Sequence, residues 1–298
     1  MDVPKITLNN GLFIPQLGLG VWQTKDGNEV ISAIHKAIDS GYRMIDTAAL
    51  YANEKGVGEA IRTASVPREE LFITTKLWNS DHGYDTALKA FDDSLERLDL
   101  DYIDLYLIHW PVPEQDKYVE TWHALEEIYA SGRAKAIGVC NFNPEHLDKL
   151  LADAKVVPAV NQIELHPRLQ QLELRQYCAD KGIHVESWSP IGGTGGNLLH
   201  DEKLIQIANK YDKSSAQIVI RWHIQLGLIA IPKSVHTDRI AQNIDVFDFE
   251  LDDDDIAVIT SLNTNTRRGP DPATMNNHVN TGVVRMASKL GLGKLPKQ

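Results

Sequence analysis

The sequence predicts a (β/α)8 barrel with a β-hairpin at its N-terminus and a C-terminal segment laid over one end. Three observations carry that expectation. Eight short β-rich runs alternate with amphipathic helical stretches, which implies a parallel sheet. The 298 residues suit eight βα units in one domain spanning 1–298. No Gly-x-Gly-x-x-Gly joins the first strand to the first helix, where Gly18-Leu19-Gly20 runs straight into Val21-Trp22. Those side chains are too bulky for a pyrophosphate turn, which disfavours an open doubly wound sheet without excluding a nucleotide.

The opening stretch 6–20 reads as a hairpin, with Asn10-Gly11 as a type I′ turn between apolar runs. The strand candidates are 17–22, 43–48, 71–78, 102–110, 134–140, 159–165, 183–190 and 228–234. Between them, 29–41 places Val30, Ile31, Ile34 and Ile38 near one helical face and stops at Gly41. The stretch 84–98 does the same with Leu88, Phe91, Leu95 and Leu98, and 214–227 starts on a Ser cap and ends on a Gly. From Asn263 the chain is rich in turn formers and reads as a closing segment over one face of the barrel.

A hydrophobic fraction of 43% and a charged fraction of 24% are those of an ordinary soluble protein. The net charge of −11 speaks against a nucleic-acid partner, which would require a basic stripe. It leaves room for an anionic ligand at a local cluster of Lys and Arg. Cys140 and Cys178 form no Cys-x-x-Cys pair, so no metal site is spelled out, and a reducing compartment is expected. Without a basic-then-apolar leader or ~18 consecutive apolar residues, the expectation is a cytoplasmic protein with no membrane contact.

Four polar residues end or follow successive strand candidates: Asp46, Tyr51, Lys76 and His109. In a (β/α)8 barrel those ends share the face where catalytic groups gather. Each alone has a plainer reading: a helix cap for Asp46, a loop aromatic for Tyr51, a solvated charge for Lys76, a satisfied core histidine for His109. Together they suit protonation of an oxygen. Tyr51 is the donor, Lys76 lowers its pKa, Asp46 holds Lys76, and His109 orients a carbonyl. With no nucleophile or metal cluster evident, a hydride from a cofactor is the natural attacker.

The stretches GYRMIDTAALY (41–51), FITTKLWN (72–79), LIHWP (107–111), GVCNF (138–142), NQIELHP (161–167), ESWSP (186–190) and IPKSVHTDRIAQN (231–243) resemble, in order, the signatures of the aldo-keto reductase superfamily. The resemblance covers nearly the whole chain and lies closest to the microbial branch of 2,5-diketo-D-gluconate and glyoxal reductases. It implies the barrel fold, NADPH bound extended with NADH weaker, and Asp46, Tyr51, Lys76 and His109 as a catalytic tetrad. Asn141 and Gln162 match the residues that hold the nicotinamide carboxamide, and Trp188 the ring on which it stacks. Gly20, Trp22, Ser189, Ile191 and Gly192 fall along the cofactor's path. Lys233, Ser234, Val235, Arg239, Gln242 and Asn243 match the adenosine-phosphate site, where Lys233 and Arg239 offer two cations to a 2′-phosphate.

The chain departs from the family at Cys140, usually Ser, so the carboxamide is expected to be held less firmly. Gln242, often Glu, alters the grip on adenine. The short loop 110–122 implies an open pocket for small or polar carbonyls, lined by Trp22, Tyr51, Trp78, Asn79, His109 and Trp110. The expected protein is a monomeric enzyme whose partner is that substrate. Two other classes compete. One is a non-catalytic nucleotide-sensing subunit on the same fold, which the intact tetrad disfavours. The other is a metal-dependent barrel hydrolase using His109 and His166, which lacks further ligands.

Overall fold

The computed structural model describes residues 3–193 and 196–276. It opens with the expected hairpin, β1 (Lys5–Thr7) paired antiparallel with β2 (Phe13–Pro15). The turn is not type I′. Leu8 N–H reaches Leu12 O at 2.8 Å and Gly11 N–H reaches Leu8 O at 2.9 Å, so three residues form the loop. Only Gly11 of the Asn-Gly pair has a positive φ, 85°, whereas type I′ needs both. Asn10 is used differently: its Oδ1 accepts from Leu12 N–H, and its Nδ2 donates to Lys135 O at 2.9 Å. Asn9 Nδ2 likewise reaches Pro158 O at 3.0 Å. The hairpin is thereby tied to the N-terminal ends of the barrel strands.

Eight parallel strands follow: β3 (Leu19–Gly20), β4 (Met44–Asp46), β5 (Phe72–Leu77), β6 (Ile103–Ile108), β7 (Ala134–Cys140), β8 (Val160–Glu164), β9 (His184–Trp188) and β10 (Ile229–Ala230). Each lies inside one of the eight expected runs, and spatial order equals chain order. Parallel bridges Leu17↔Ala230 and Gly20↔Lys233 curl the first strand onto the last. The backbones come so close there that a Cβ on Gly20 would stand 2.9 Å from Ile231 O. The last strand is shorter than its apolar run because Pro232 has no N–H to donate.

Alternation along the strands divides the side chains into two sets. Met44, Phe72, Leu105, Leu107, Val160, Ile229 and Ile231 fill the barrel interior together with Leu8 and Ile14 of the hairpin. The hairpin is therefore a stopper in the N-terminal end. The other set packs outward against ten helices among the described residues, from α1 (Asn28–Asp39) through α2 (Glu54–Arg62), α3 (Tyr84–Leu98), α4 (Tyr118–Ala130), α5 (Pro144–Leu151), α6 (Leu172–Asp180), α7 (Glu202–Tyr211), α8 (Ser215–Gln225) and α9 (Thr237–Ile244) to α10 (Asp253–Thr260). In α1 the buried face holds Val30, Ile34 and Ile38 as expected, with Ile31 half-buried. In α3 the inner face is Ala87, Phe91, Ser94 and Leu98, one position round from the expected stripe, which leaves Leu88 and Leu95 half-buried. Two small residues at the contact let the helix lie close. Ser214 caps α8 in a reciprocal box with Gln217. No helix among the described residues is long and apolar enough to cross a membrane.

The closing segment lies where the sequence puts it as far as Asn276. Thr264 and Thr266 N–H donate to Arg168 O at 3.2 and 3.0 Å, and Met275 is buried among Leu50, Trp78, Trp110 and Val112. The rest of the expected segment, 277–298, lies outside the described residues.

Candidate active site

The four polar residues converge at the C-terminal end of the barrel. Lys76 is fully buried, and its Nζ donates to Asp46 Oδ1 at 2.6 Å, Thr47 O at 2.9 Å and Tyr51 Oη at 3.5 Å. Tyr51 is delivered by a short 3-10 turn, Ala49–Tyr51, that follows β4. Its ring lies 5.8 Å from the His109 ring, which in turn packs edge-on to Trp78 at 5.1 Å.

The electrostatics correct one expectation. Lys76 does not bring the Tyr51 phenol below its ordinary pKa. Burial dominates and raises it, and the ammonium offsets only part of that rise. Tyr51 is a protonated phenol at neutral pH. Burial also works against charge on Lys76, but Asp46 outweighs it and holds the ammonium charged. His109 lies well below the usual imidazole value through burial and then the Lys76 charge, so it is neutral. Its Nδ1 and the buried Trp110 Nε1 have no hydrogen-bond partner among the described residues. Trp22 packs on Tyr51 at 4.7 Å, and Leu50, Val112 and Met275 join the aromatic wall. Asn79 is buried at the start of the turn after Trp78.

Beside the tetrad stand the residues matched to a nicotinamide. Asn141, at φ 62°, donates from Nδ2 to His109 O at 3.0 Å and accepts Trp188 Nε1–H on Oδ1 at 2.8 Å. Gln162 donates to Asp46 Oδ2 at 2.8 Å. Cys140, in register with Gln162, points into the barrel interior, where burial pushes its thiol well above the ordinary value. The loop after β9 has positive φ at Ser189 (50°), Gly192 (88°) and Gly193 (66°), with Ile191 half-buried between them, and Gly192 N–H closes a turn on Ser189 O at 2.9 Å. On the next loop and α9, Lys233, Arg239 and Gln242 are exposed, Val235 is half-buried, and Ser234 and Asn243 are buried. Neither Lys233 nor Arg239 is spent on a salt bridge among the described residues. A half-buried indole, a glycine-containing turn and two cations in no salt bridge among the described residues, in that order along the chain, fit a nicotinamide nucleotide. Gly20 meets a different need, the close approach of β3 to Ile231.

Two buried carboxyl groups escaped the reading of the motifs that contain them. Glu164, at the end of β8, accepts Arg268 N–H at 2.8 Å, Gly269 N–H at 2.9 Å and His166 Nε2 at 3.0 Å, with Arg267 at 4.0 Å. Burial works against its charge, but these donors outweigh it and hold the carboxyl below its ordinary pKa. The closing segment is thus latched beside Trp188, so tightly that a Cβ on Gly269 would stand 2.5 Å from the indole Cη2. The latch also occupies His166, and no group of three or more His, Cys, Asp or Glu suited to a metal occurs among the described residues. Glu186 lies on the next strand, one layer deeper. The available signal was periodicity: 162 and 164, like 184, 186 and 188, are alternate and therefore inward positions of short buried strands.

Residues 16–264 match the model of the aldo/keto reductase family. The chain is 54% identical to glyoxal reductase of Bacillus subtilis (strain 168), over 90% of this chain and 95% of the relative. It is 55% identical to methylglyoxal reductase DkgA of Escherichia coli (strain K12), over 90% of this chain and 96% of the relative. Among solved structures, a Bombyx mori aldo-keto reductase in complex with NADP superposes with a TM-score of 0.83 at 43% identity, covering 90% of this chain and 95% of that one. With motifs, barrel and relatives in agreement, the chain belongs to the aldo/keto reductase family of oxidoreductases.

Proposed function

We propose that this protein is an NADPH-dependent reductase of small, oxygen-rich aldehydes and ketones such as 2-oxoaldehydes and keto sugars, with Tyr51 as the proton donor. The observation that carries the reading is the buried Lys76 ammonium, which bridges Asp46 at 2.6 Å and the Tyr51 hydroxyl at 3.5 Å. Bound NADPH would supply hydride to the carbonyl carbon. Lys233 and Arg239 would hold its 2′-phosphate, the 189–193 loop its pyrophosphate, and Asn141, Gln162 and Trp188 its nicotinamide.

The protein's own part is charge and proton management. A neutral phenol and a neutral imidazole face the pocket, so both can donate a hydrogen bond to a carbonyl oxygen. As negative charge develops on that oxygen, Tyr51 releases its proton to it. The phenolate left behind stands beside Lys76, whose charge Asp46 secures. The buried, unpartnered N–H of Trp110 favours a substrate with a second oxygen, since a buried donor without an acceptor costs about 1–3 kcal/mol. This is the physical case for small polar carbonyls, the class named in the glyoxal and methylglyoxal reductase relatives.

The test is Tyr51→Phe, assayed with NADPH on methylglyoxal, a keto sugar and an aromatic aldehyde. Turnover should fall by about 10²–10⁴-fold while NADPH binding is retained. Retention of more than roughly a tenth of wild-type turnover, where chemistry limits the rate, removes Tyr51 as the acid. No turnover of any carbonyl by the wild type, with NADPH still bound, supports a nucleotide-sensing subunit instead.

A further inference from the structure

Glu186 is buried in the barrel interior beneath the tetrad. Its Cα neighbours across the sheet are Gln162 on β8 and Ile229 on β10. Neither carboxyl oxygen has a well-formed hydrogen bond among the described residues; the Gln162 amide is near enough to favour the anion somewhat, but its Nε2 is placed on Asp46. The cation on this side of the barrel is Lys76, already committed to Asp46, Thr47 O and Tyr51. A buried carboxylate without donors costs several kcal/mol, so the group is better kept neutral. Gln162 lies between the two acids, with its Nε2 on Asp46.

We propose that Glu186 is a positioning residue for the reaction, a protonated carboxyl that leaves the Gln162 amide to Asp46 and adds no second negative charge beneath Lys76. The proposal rests on the reading of Tyr51, Lys76 and Asp46 as the proton-handling set. As an anion, Glu186 would draw the second N–H of the Gln162 amide towards itself, turning the amide away from Asp46, and would repel Asp46. It would also draw on the Lys76 charge and raise the cost of a phenolate at Tyr51. Gln162 and Asp46 would both lose their geometry, although neither touches the reacting carbonyl.

The groups facing Glu186 are Asp46 on β4, Lys76 on β5, Cys140 on β7 and Gln162 on β8, with apolar Ile229 on β10; His184 lies one inward position below on its own strand. The Cys140 thiol stays protonated. Burial, and then the Asp46 charge, push Glu186 up to about 8, while Gln162 and Lys76 pull the other way. The unfolded chain binds this proton only below about pH 4.3. Its stabilising contribution is therefore complete in acid and is lost as pH rises towards 8.

The test uses the full chain and Glu186→Gln, which keeps the shape and cannot ionise. Thermal unfolding of the apoprotein is followed from about pH 5 to about pH 9. The wild type should lose stability relative to the variant across this range. Carbonyl reduction is followed in parallel, each protein scaled to its own rate at neutral pH. At about pH 9 the wild type should keep roughly a tenth of its neutral kcat/KM, as expected one unit above a single titration, while the variant keeps most of its own. Parallel unfolding profiles would show that Glu186 holds no proton. Diverging unfolding profiles with superimposed alkaline limbs would show that the proton is structural only. Either outcome overturns the proposal. Should the variant not fold, the carbonyl stretch of a buried carboxylic acid, followed by infrared in the wild type, must vanish as pH passes 8. A stretch that is absent at neutral pH, or that persists to about pH 10, overturns it equally. Failure of the tetrad reading is separate, since it appears in Tyr51→Phe and leaves the unfolding and infrared results standing.

Discussion

The two ends of the barrel interior are built from the same strands and the same inward positions, yet they hold opposite kinds of residue. At the N-terminal end, Met44, Phe72, Leu105 and Val160 close on Leu8 and Ile14 of the hairpin. One inward position further along β4, and two along β5 and β8, the side chains become Asp46, Lys76 and Glu164. The lower end needs only volume and shape. The upper end needs charge, and the charges of Asp46, Lys76 and Glu164 are each met by a named donor or ion partner. Division of labour within one sheet is set by which inward position a residue occupies, not by which strand supplies it.

This contrast predicts that substitutions below change stability and substitutions above change chemistry or cofactor binding. The largest effect is expected at the stopper. Phe72→Ala should destabilise by about 3–5 kcal/mol, because the buried ring cannot be replaced by relaxation of a closed barrel. Denaturant unfolding would measure it, and kcat/KM of the folded fraction should not change. A matching loss of kcat/KM would break the division.

Arg239→Ala reads the upper end alone. A charge-assisted contact with the 2′-phosphate is worth roughly 1.5–3 kcal/mol, so the NADPH dissociation constant should rise about tenfold to a hundredfold. The NADH constant should change far less. Tryptophan fluorescence titration with both cofactors checks this, and equal weakening would assign Arg239 to stacking on adenine. The global charge of −11 sharpens the dependence on this local cation.

The smallest effect is expected where the two kinds of role meet, at the latch. Glu164→Gln replaces a charged acceptor of two backbone N–H groups and should loosen the closing segment by about 1–3 kcal/mol. Because Gly269 rests on Trp188, cofactor affinity should weaken only a few-fold, within the roughly 1 kcal/mol of an indirect contact. Hydrogen exchange at Arg268 and Gly269 would report the release directly. The carboxyl is held below its ordinary range, so in the wild type the same release should appear only as pH falls through that lowered value. Unchanged exchange in the variant would show that the segment is held by Met275 packing instead.

Most of the barrel was legible because strand periodicity and motif order are local properties. All eight runs contain a strand, and Asp46, Tyr51, Lys76 and His109 meet because each sits at or just past a strand end. What was not legible depends on contacts between distant segments. The turn at Asn10-Gly11 takes its form while Asn10 bonds Lys135, 125 positions away in sequence. The inner face of α3 is decided by Ser94 and Ala87, small residues that no apolar stripe selects. The Tyr51 phenol follows its burial more than its nearest charge, and burial has no local signature. Glu164 and Glu186 have the same side chain and similar burial. Their pKa values are displaced in opposite directions, because donors on a segment a hundred residues later reach Glu164 and do not reach Glu186.

The seam between the first and last strands carries a consequence for how the chain is assembled. Gly18 N–H bonds Ala230 O at 3.0 Å, and Ala230 N–H bonds Gln16 O at 2.9 Å. These partners lie 212 and 214 positions apart in sequence, whereas β5, β6 and β7 pair with near neighbours. Closing this seam carries the largest loop-closure entropy of any strand pairing in the barrel, a cost that pairing of the intervening strands would reduce by shortening the effective distance. During synthesis the hairpin and β3 emerge well before β10 and must wait for it, with an unpaired strand edge exposed meanwhile. The seam is the expected rate-limiting event of folding, and the place where a growing or partly unfolded chain is open to pairing with another copy.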